Sequence, residues 1–175
     1  MSTPSKTIIK EFIDAVINDR DTAEIMLADR PALLNAKYLR GDTLLHHLAV
    51  NGNVDAVKFL LERGARVDDR NETNCTALME VAVLGSEEMT RLLLAHGADP
   101  NLSTATFDTP LVNAVRAGRI KMVELLLASG ADPSARSVVG CGIFDCLPER
   151  SDLRLAIYKV IEKYAPAMPN DSVSG

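Results

Sequence analysis

The chain has 175 residues, of which 47% are apolar and 25% are charged, and its formal net charge is −5. This length is enough for one domain with a sizeable core, and the acidic balance argues against a nucleic-acid partner. No apolar run approaches the roughly 18 residues that cross a bilayer, and residues 1–10 lack the apolar segment of a secretion signal. We therefore expect a cytoplasmic protein that binds neither nucleic acid nor membrane.

The three cysteines, Cys75, Cys141 and Cys146, cannot all pair within one chain because their number is odd. Unpaired thiols fit a reducing compartment. The spacing of Cys141 and Cys146 is not that of a zinc knuckle, and the three histidines complete no metal pattern with them. We interpret the thiols as small apolar side chains, and we expect neither a metal nor another cofactor.

Four residue columns recur along the chain at one interval, for example from Thr43 to Thr76 (76 − 43 = 33). The columns are Thr43, Thr76 and Thr109; Leu45, Leu78 and Leu111; Gly52, Gly85 and Gly118; and Gly64, Gly97 and Gly130. A repeat of this length that runs through most of a chain is typical of a solenoid.

One unit shows what each repeat builds. In "DTPLVNAVRAG", Thr109 is suited to cap a helix with its side chain, and Pro110 fits the first helical position, where an N–H is not needed. Gly118 can end the helix because it adopts positive φ at low cost. Between them, the spacing of three apolar residues predicts one helical face, formed by Leu111, Ala114 and Val115.

A second helix is predicted over the following segment, "RIKMVELLLASG", which Gly130 closes. Two short helices joined by a tight turn form an antiparallel pair. The next residues, "ADPSARSVVG", are typical of a turn or hairpin. Because one pair cannot bury the apolar faces of both helices, neighbouring units must stack.

The unit resembles that of the ankyrin-repeat family, whose signature is Thr-Pro-Leu-His-x-Ala with a Gly-Ala-Asp ending. Here "TLLH" begins at Thr43, "TALM" at Thr76 and "TPLV" at Thr109. The endings "GAR", "GAD" and "GAD" begin at Gly64, Gly97 and Gly130. The resemblance implies an all-α solenoid of stacked helix–turn–helix units with projecting β-hairpin-like turns.

Degenerate units complete the array at both ends. We predict an ankyrin-repeat domain over 6–165, divided into units of about 6–36, 37–69, 70–102, 103–135 and 136–165. In the last unit, Gly142-Ile143-Phe144 takes the Thr-Pro-Leu position and an amphipathic helix follows Pro148. Residues 1–5 and 166–175 are predicted to be flexible termini.

Catalytic patterns are missing from the sequence. In the resembling family the signature histidine is structural, and this implies the same role for His46. Glu87 and Glu88 follow Ser86 at a predicted helix start, where negative charge favours the helix dipole. No phosphate loop, nucleophile elbow or zinc-binding helix is present. We predict a protein without enzymatic activity; the alternative of another class is a hydrolase that uses His46 or His47 with a nearby carboxylate.

The resemblance also implies a binding surface, because the family presents hairpin tips and the exposed face of its inner helices to partner proteins. We predict that this chain binds another protein through Tyr38, Leu39, Arg40, Asp42, Asn51, Glu72, Thr73, Val83, Leu84, Thr106, Phe107, Asp108 and Arg116. The tip of the fifth unit corresponds to Val138, Val139 and Cys141.

Several of these residue types are unusual on a solvated surface. Val83 and Leu84 are large apolar residues at positions that face water, and Tyr38 and Arg40 are of types enriched at interfaces. Phe107 stands where other hairpins have glycine or asparagine, so either that turn is remodelled or Phe107 packs against the next hairpin tip. The same surface could serve a dedicated inhibitor, an immunity-type protein or an effector. We expect a monomer, with a homodimer through Val83 and Leu84 as the alternative.

Overall fold

The computed structural model describes residues 4–104 and 108–165. The helices are α1 Lys6–Asn18, α2 Arg20–Asp29, α3 Leu44–Val50, α4 Val54–Glu62, α5 Ala77–Leu84, α6 Glu87–Ala95, α7 Pro110–Arg116, α8 Ile120–Ala128 and α9 Ser151–Tyr164. Two 3-10 turns cover Pro31–Asn35 and Leu39–Gly41. Over these residues β structure is limited to an isolated antiparallel bridge between Lys37 and Thr43. The predicted all-α fold is confirmed. The predicted flexible tail 166–175 and residues 1–3 of the predicted flexible N-terminus lie outside the described residues.

Helix starts follow the sequence repeat. Inner helices α3, α5 and α7 begin at Leu44, Ala77 and Pro110, at steps of 77 − 44 = 33 and 110 − 77 = 33. Outer helices α4, α6 and α8 begin at 54, 87 and 120, with the same step (87 − 54 = 33 and 120 − 87 = 33). The predicted repeat of helix pairs is therefore confirmed, whereas the five-unit division remains a prediction.

Side-chain caps explain where several helices begin. The hydroxyls of Ser5, Thr43 and Thr109 accept hydrogen bonds from backbone N–H groups three residues on, at 3.3–3.4 Å. Each bond satisfies one of the N–H groups that a first helical turn leaves without an internal partner. Pro110 occupies the first turn of α7, as predicted.

The chain forms two compact units, Met1–Ala77 and Leu78–Gly175. In the first unit, α1 packs against α2 and α4, and α3 packs against α4. Its core consists of side chains with almost no exposed surface: Phe12, Val16, Leu33, Leu45, Leu48 and Leu60. Burial of each large aliphatic side chain stabilises the fold by about 1.5–3 kcal/mol.

In the second unit, α8 packs against α6, α7 and α9. Its core includes Leu78, Met89, Leu93, Leu111, Leu126 and Ile157. The Thr-Pro-Leu-like position of the last repeat differs from the others, because residues 143–147 form turns instead of an α-helix. Pro148 directly follows and has no N–H to continue a helical pattern. The amphipathic helix predicted after Pro148 is α9, which buries Ile157 and Ile161.

Candidate partner-binding surfaces

Two hairpin-like turns lie side by side in the first unit. The N–H of Tyr38 donates to the carbonyl of Asp42 at 2.7 Å, and the N–H of Asn71 donates to the carbonyl of Cys75 at 3.0 Å. The two turns are therefore closed in the same way, one repeat apart. The N–H of Glu72 donates to the carbonyl of Arg40 at 3.3 Å and joins one turn to the other.

The first turn has an uncommon backbone. Arg40 has φ 55° and ψ 28°, and Gly41 has φ 65°. With the bond from the Asp42 N–H to the Leu39 carbonyl at 3.0 Å, this is a type I′ turn. A side chain in the left-handed region has an energetic cost. A Cβ on Gly41 would overlap Cγ of Glu72, so the second turn leaves room for glycine only.

The buried amide of Asn71 holds both turns in shape. Its oxygen accepts hydrogen bonds from the N–H and hydroxyl of Thr73, at 3.0 and 2.8 Å, and from the N–H of Cys75 at 3.0 Å. Its nitrogen donates to Oδ1 of Asp42 at 2.8 Å. These hydrogen bonds fix the backbone of both turns.

The predicted contact residues of the first unit surround these turns. Leu39 is 50% exposed, and Arg40, Asn51, Glu72 and Thr73 are also exposed, whereas Tyr38 and Asp42 are half-buried. The edge of the Tyr38 ring contacts the ring of His47, with centroids 5.8 Å apart. The Asn51 side chain donates to the carbonyl of His47 at 2.6 Å.

His46 is part of the framework rather than of the surface. It is 1% exposed, and its Nε2–H donates to the carbonyl of Cys75 at 2.9 Å. Because that nitrogen carries the proton, Nδ1 accepts from the hydroxyl of Thr43 at 2.8 Å. The structural role implied for His46 is confirmed, and neither ring nitrogen is left for proton transfer.

In the second unit, α5 ends with two adjacent exposed apolar residues. Val83 is 44% exposed and Leu84 is 49% exposed. The carbonyl of Val83 accepts a hydrogen bond from Nε of Arg119 at 2.9 Å. Arg119 was not among the predicted contact residues. The sequence does contain a signal for it: at the same repeat position the preceding repeats have the uncharged residues Ser86 and Asn53, so the charge of Arg119 departs from the pattern (119 − 86 = 33 and 86 − 53 = 33).

Asp108 corrects one prediction, because it is buried rather than exposed at a tip. Its side chain is 2% exposed, and Oδ2 forms an ion pair with Nη1 of Arg116 at 2.6 Å. Oδ1 accepts from the N–H of Val138 at 2.6 Å. A buried carboxylate needs such partners, so Asp108 ties the last hairpin turn to the start of α7. Arg116 remains about half exposed.

This ion pair affects the neighbouring thiol. Burial raises the pKa of Cys146, and the opposing effect of nearby Arg116 is not enough to reverse it. Partial burial acts to lower the pKa of the Arg116 guanidinium. The Asp108 carboxylate and Cys146 act in the opposite direction, and the pKa is raised overall. The group is thus a fixed cation beside a neutral thiol, which is a poor nucleophile.

The last hairpin turn presents apolar side chains. Val138 and Val139 are exposed, as is Cys141. The turn is closed by the N–H of Ser137 donating to the carbonyl of Cys141 at 2.9 Å. Two of the predicted contact residues, Thr106 and Phe107, lie outside the described residues, and so do both alternatives for the Phe107 turn.

Two open cavities lie in the second unit. One, of about 440 Å³, is lined by Arg91, Leu94, Ala95, Ala98, Leu125 and Ser129. The other, of about 230 Å³, lies where Gly85, Glu87, Arg119 and Lys121 meet. Neither lining includes a histidine.

Residues 4–104 and 108–165 contain neither a candidate metal site nor a membrane-spanning helix. No group of three or more His, Cys, Asp or Glu residues in these ranges is placed to hold a metal ion. Within the same ranges, every helix is too short or too polar to cross a membrane.

The fold and these surfaces define a helical-repeat solenoid protein. The family model described as "Ankyrin repeats (3 copies)" matches residues 12–104 and 72–137. The chain therefore belongs to the ankyrin-repeat family. Repeats of this family are generally protein–protein interaction modules and typically have no enzymatic activity. No curated protein matches the chain.

Proposed function

We propose that this protein is a non-catalytic, cytoplasmic binding module that holds another protein against the exposed ends of its inner helices and its hairpin turns. The observation that carries the proposal is the exposure of Val83 and Leu84 at the end of α5. When a partner covers large apolar side chains that contact water, the free energy of the complex is lowered. The first unit contributes a second surface around Leu39 and Arg40.

The shape of the first-unit surface supports the same function. Its backbone is fixed by the hydrogen bonds of Asn71, while the side chains of Leu39, Arg40 and Thr73 remain exposed. A rigid backbone that presents mixed apolar and charged side chains suits protein recognition. The left-handed backbone of Arg40 is held by the hydrogen bonds that close this turn, and backbone strain of this kind is common at binding sites.

Catalysis has little support from the described side chains. Both ring nitrogens of His46 are engaged within the fold, and His47 contacts the Tyr38 ring. In the second unit, the thiol of Cys146 has a raised pKa, which disfavours the thiolate. A reducing, cytoplasmic location is supported by the odd number of cysteines.

Affinity capture from the source cell, followed by mass spectrometry, tests the proposal. The full chain and two variants are compared: Leu84→Glu at the proposed surface, and Leu155→Glu on α9 as the matched control. Both leucines belong to the second unit and are about equally exposed, at 49% and 55%. We expect the full chain and Leu155→Glu to capture the same proteins, and Leu84→Glu to lose them.

Two results would contradict the proposal. One is that the full chain captures no specific protein. The other is that Leu84→Glu retains the full set at the wild-type level while its helical content is unchanged. A parallel Tyr38→Ala variant reports on the first-unit surface, where we expect a partial loss because Tyr38 is half-buried.

A further inference from the structure

Arg119 is held in place by backbone on the second unit. Its Nε donates to the carbonyl of Val83 at 2.9 Å. Its Cδ and Nε lie 3.1 and 3.2 Å from the point where a Cβ on Gly85 would be, so the side chain lies flat against this glycine. An arginine fixed in this way loses less conformational freedom when it binds a ligand.

The outer edge of the same guanidinium is available. Arginine has five N–H donors, and the bond to Val83 uses only the one on Nε. Over the described residues no carboxylate forms an ion pair with Arg119, whereas Arg116 pairs with Asp108 at 2.6 Å and Lys121 with Glu87 at 3.6 Å. The two terminal nitrogens can therefore bind one carboxylate with two parallel hydrogen bonds.

Apolar side chains flank this cation. Val83 supplies the carbonyl that holds Arg119, and Leu84 follows it directly; both side chains are exposed. A ligand that contacts all three residues needs a carboxylate to bind the guanidinium and an aliphatic group to pack against the end of α5. Apolar contact around the ion pair also excludes water and strengthens the charged hydrogen bonds.

We propose that Val83, Leu84 and Arg119 recognise a segment of the partner protein in which an aspartate or glutamate lies beside a large aliphatic residue. This inference rests on the proposed function and specifies its ligand. Loss of the carboxylate–guanidinium contact is expected to weaken binding by about tenfold, at the lower end for charged hydrogen bonds because Arg119 is exposed.

Selection from a library of random twelve-residue peptides against the immobilised full chain tests the inference. The selected peptides are then titrated against the wild type, Arg119→Gln, Arg119→Lys and Arg154→Gln. Arg154 is an exposed arginine on α9, so its variant removes the same charge from a different helix. Arg119→Lys keeps the charge but loses the planar fork. Circular dichroism checks that every variant is folded.

We expect the selected peptides to carry an acidic residue within two positions of Leu, Ile, Val or Met. Their affinity should fall about tenfold for Arg119→Gln, by less for Arg119→Lys, and remain unchanged for Arg154→Gln. Replacement of the acidic residue of the peptide by its amide should reduce wild-type affinity by the same factor and leave Arg119→Gln unaffected.

The inference is overturned if selection yields no peptides, or if the selected peptides bind wild type and Arg119→Gln equally. It is also overturned if sedimentation shows a wild-type dimer that Leu84→Glu converts to a monomer, because the occupant would then be a second copy. Cellular capture that depends on Leu84 but not on Arg119 would leave the proposed function standing and reject only this ligand chemistry.

Discussion

Asn51 caps the C-terminal end of inner helix α3 and has an exposed amide. Leu84 occupies the equivalent place in α5, one repeat further on (84 − 51 = 33). At the buried position of the same two helices, Leu45 and Leu78 are identical in type and almost inaccessible. The buried columns therefore maintain one backbone while the exposed columns vary. We therefore expect stability to reside in the repeated residues and, under the proposed function, partner choice to reside in the residues that differ.

The strongest way to test that division lies within α5. Leu78→Ala removes a fully buried side chain, and we expect it to lower the free energy of unfolding by about 3 kcal/mol through lost burial and the cavity left behind. Leu84→Ala, in the same helix, should change it by less than about 0.5 kcal/mol. Urea unfolding followed by circular dichroism measures both; equal losses would contradict the assignment of separate roles.

The next effect compares two aspartates that precede the inner helices of different units. Asp108→Ala removes the acceptor for Arg116 and the Val138 N–H, and should cost about 2 kcal/mol because a buried ion pair is broken while Arg116 can still reach water. Asp42→Ala loses only the half-buried contact with Asn71 and should cost about 1 kcal/mol. The same unfolding measurement applies, and a reversed order of the two costs would reject this account of Asp108.

A smaller effect separates backbone strain from ligand positioning. Gly85 and Gly97 have φ of 85° and 87°, but only Gly85 lies against Arg119. Either alanine substitution should cost about 1 kcal/mol, because an L side chain disfavours this region. Only Gly85→Ala should also weaken peptide binding, since its Cβ displaces Arg119. Equal peptide affinity for the two variants would show that Arg119 needs no such support.

The least demanding test compares two thiols of the second unit. The pKa of Cys146 is raised by burial, so the fraction of thiolate at pH 8 is reduced, while Cys141 is exposed. We expect iodoacetamide to modify Cys141 first, and the rate at Cys146 to keep rising as the pH approaches its raised pKa. Peptide mapping by mass spectrometry identifies the site. Faster modification of Cys146 at pH 8 would contradict the burial that the structure assigns to it.

Much of the fold could be predicted from the sequence because it is periodic. Thr43, Thr76 and Thr109 directly precede α3, α5 and α7, and the closing glycines adopt positive φ as expected. The structure of the last repeat was harder to predict, since residues 143–147, directly before Pro148, form turns where the other repeats have a helix. Here the periodic signal is weak and the outcome depends on packing.

The candidate surfaces were less predictable, because they depend on contacts between units of the repeat. The burial of Asp108 follows from the N–H of Val138 and the guanidinium of Arg116, which the sequence does not place beside it. The position of Arg119 likewise depends on a carbonyl that lies far from it in sequence. Exposed apolar residues such as Leu84 were easier to identify, since the repeat assigns their position to the water-facing side of the helix.

Amide hydrogen exchange of the protein with its captured partner tests the central claim most directly. If the account is correct, exchange should slow in the partner complex at the end of α5, over residues 83–85, and at Arg119, with the first-unit turn 38–42 as the second affected segment. Exchange that slows only around the cavity of about 440 Å³, over residues 91–98 and 125–129, with no change at Leu84, would contradict the account.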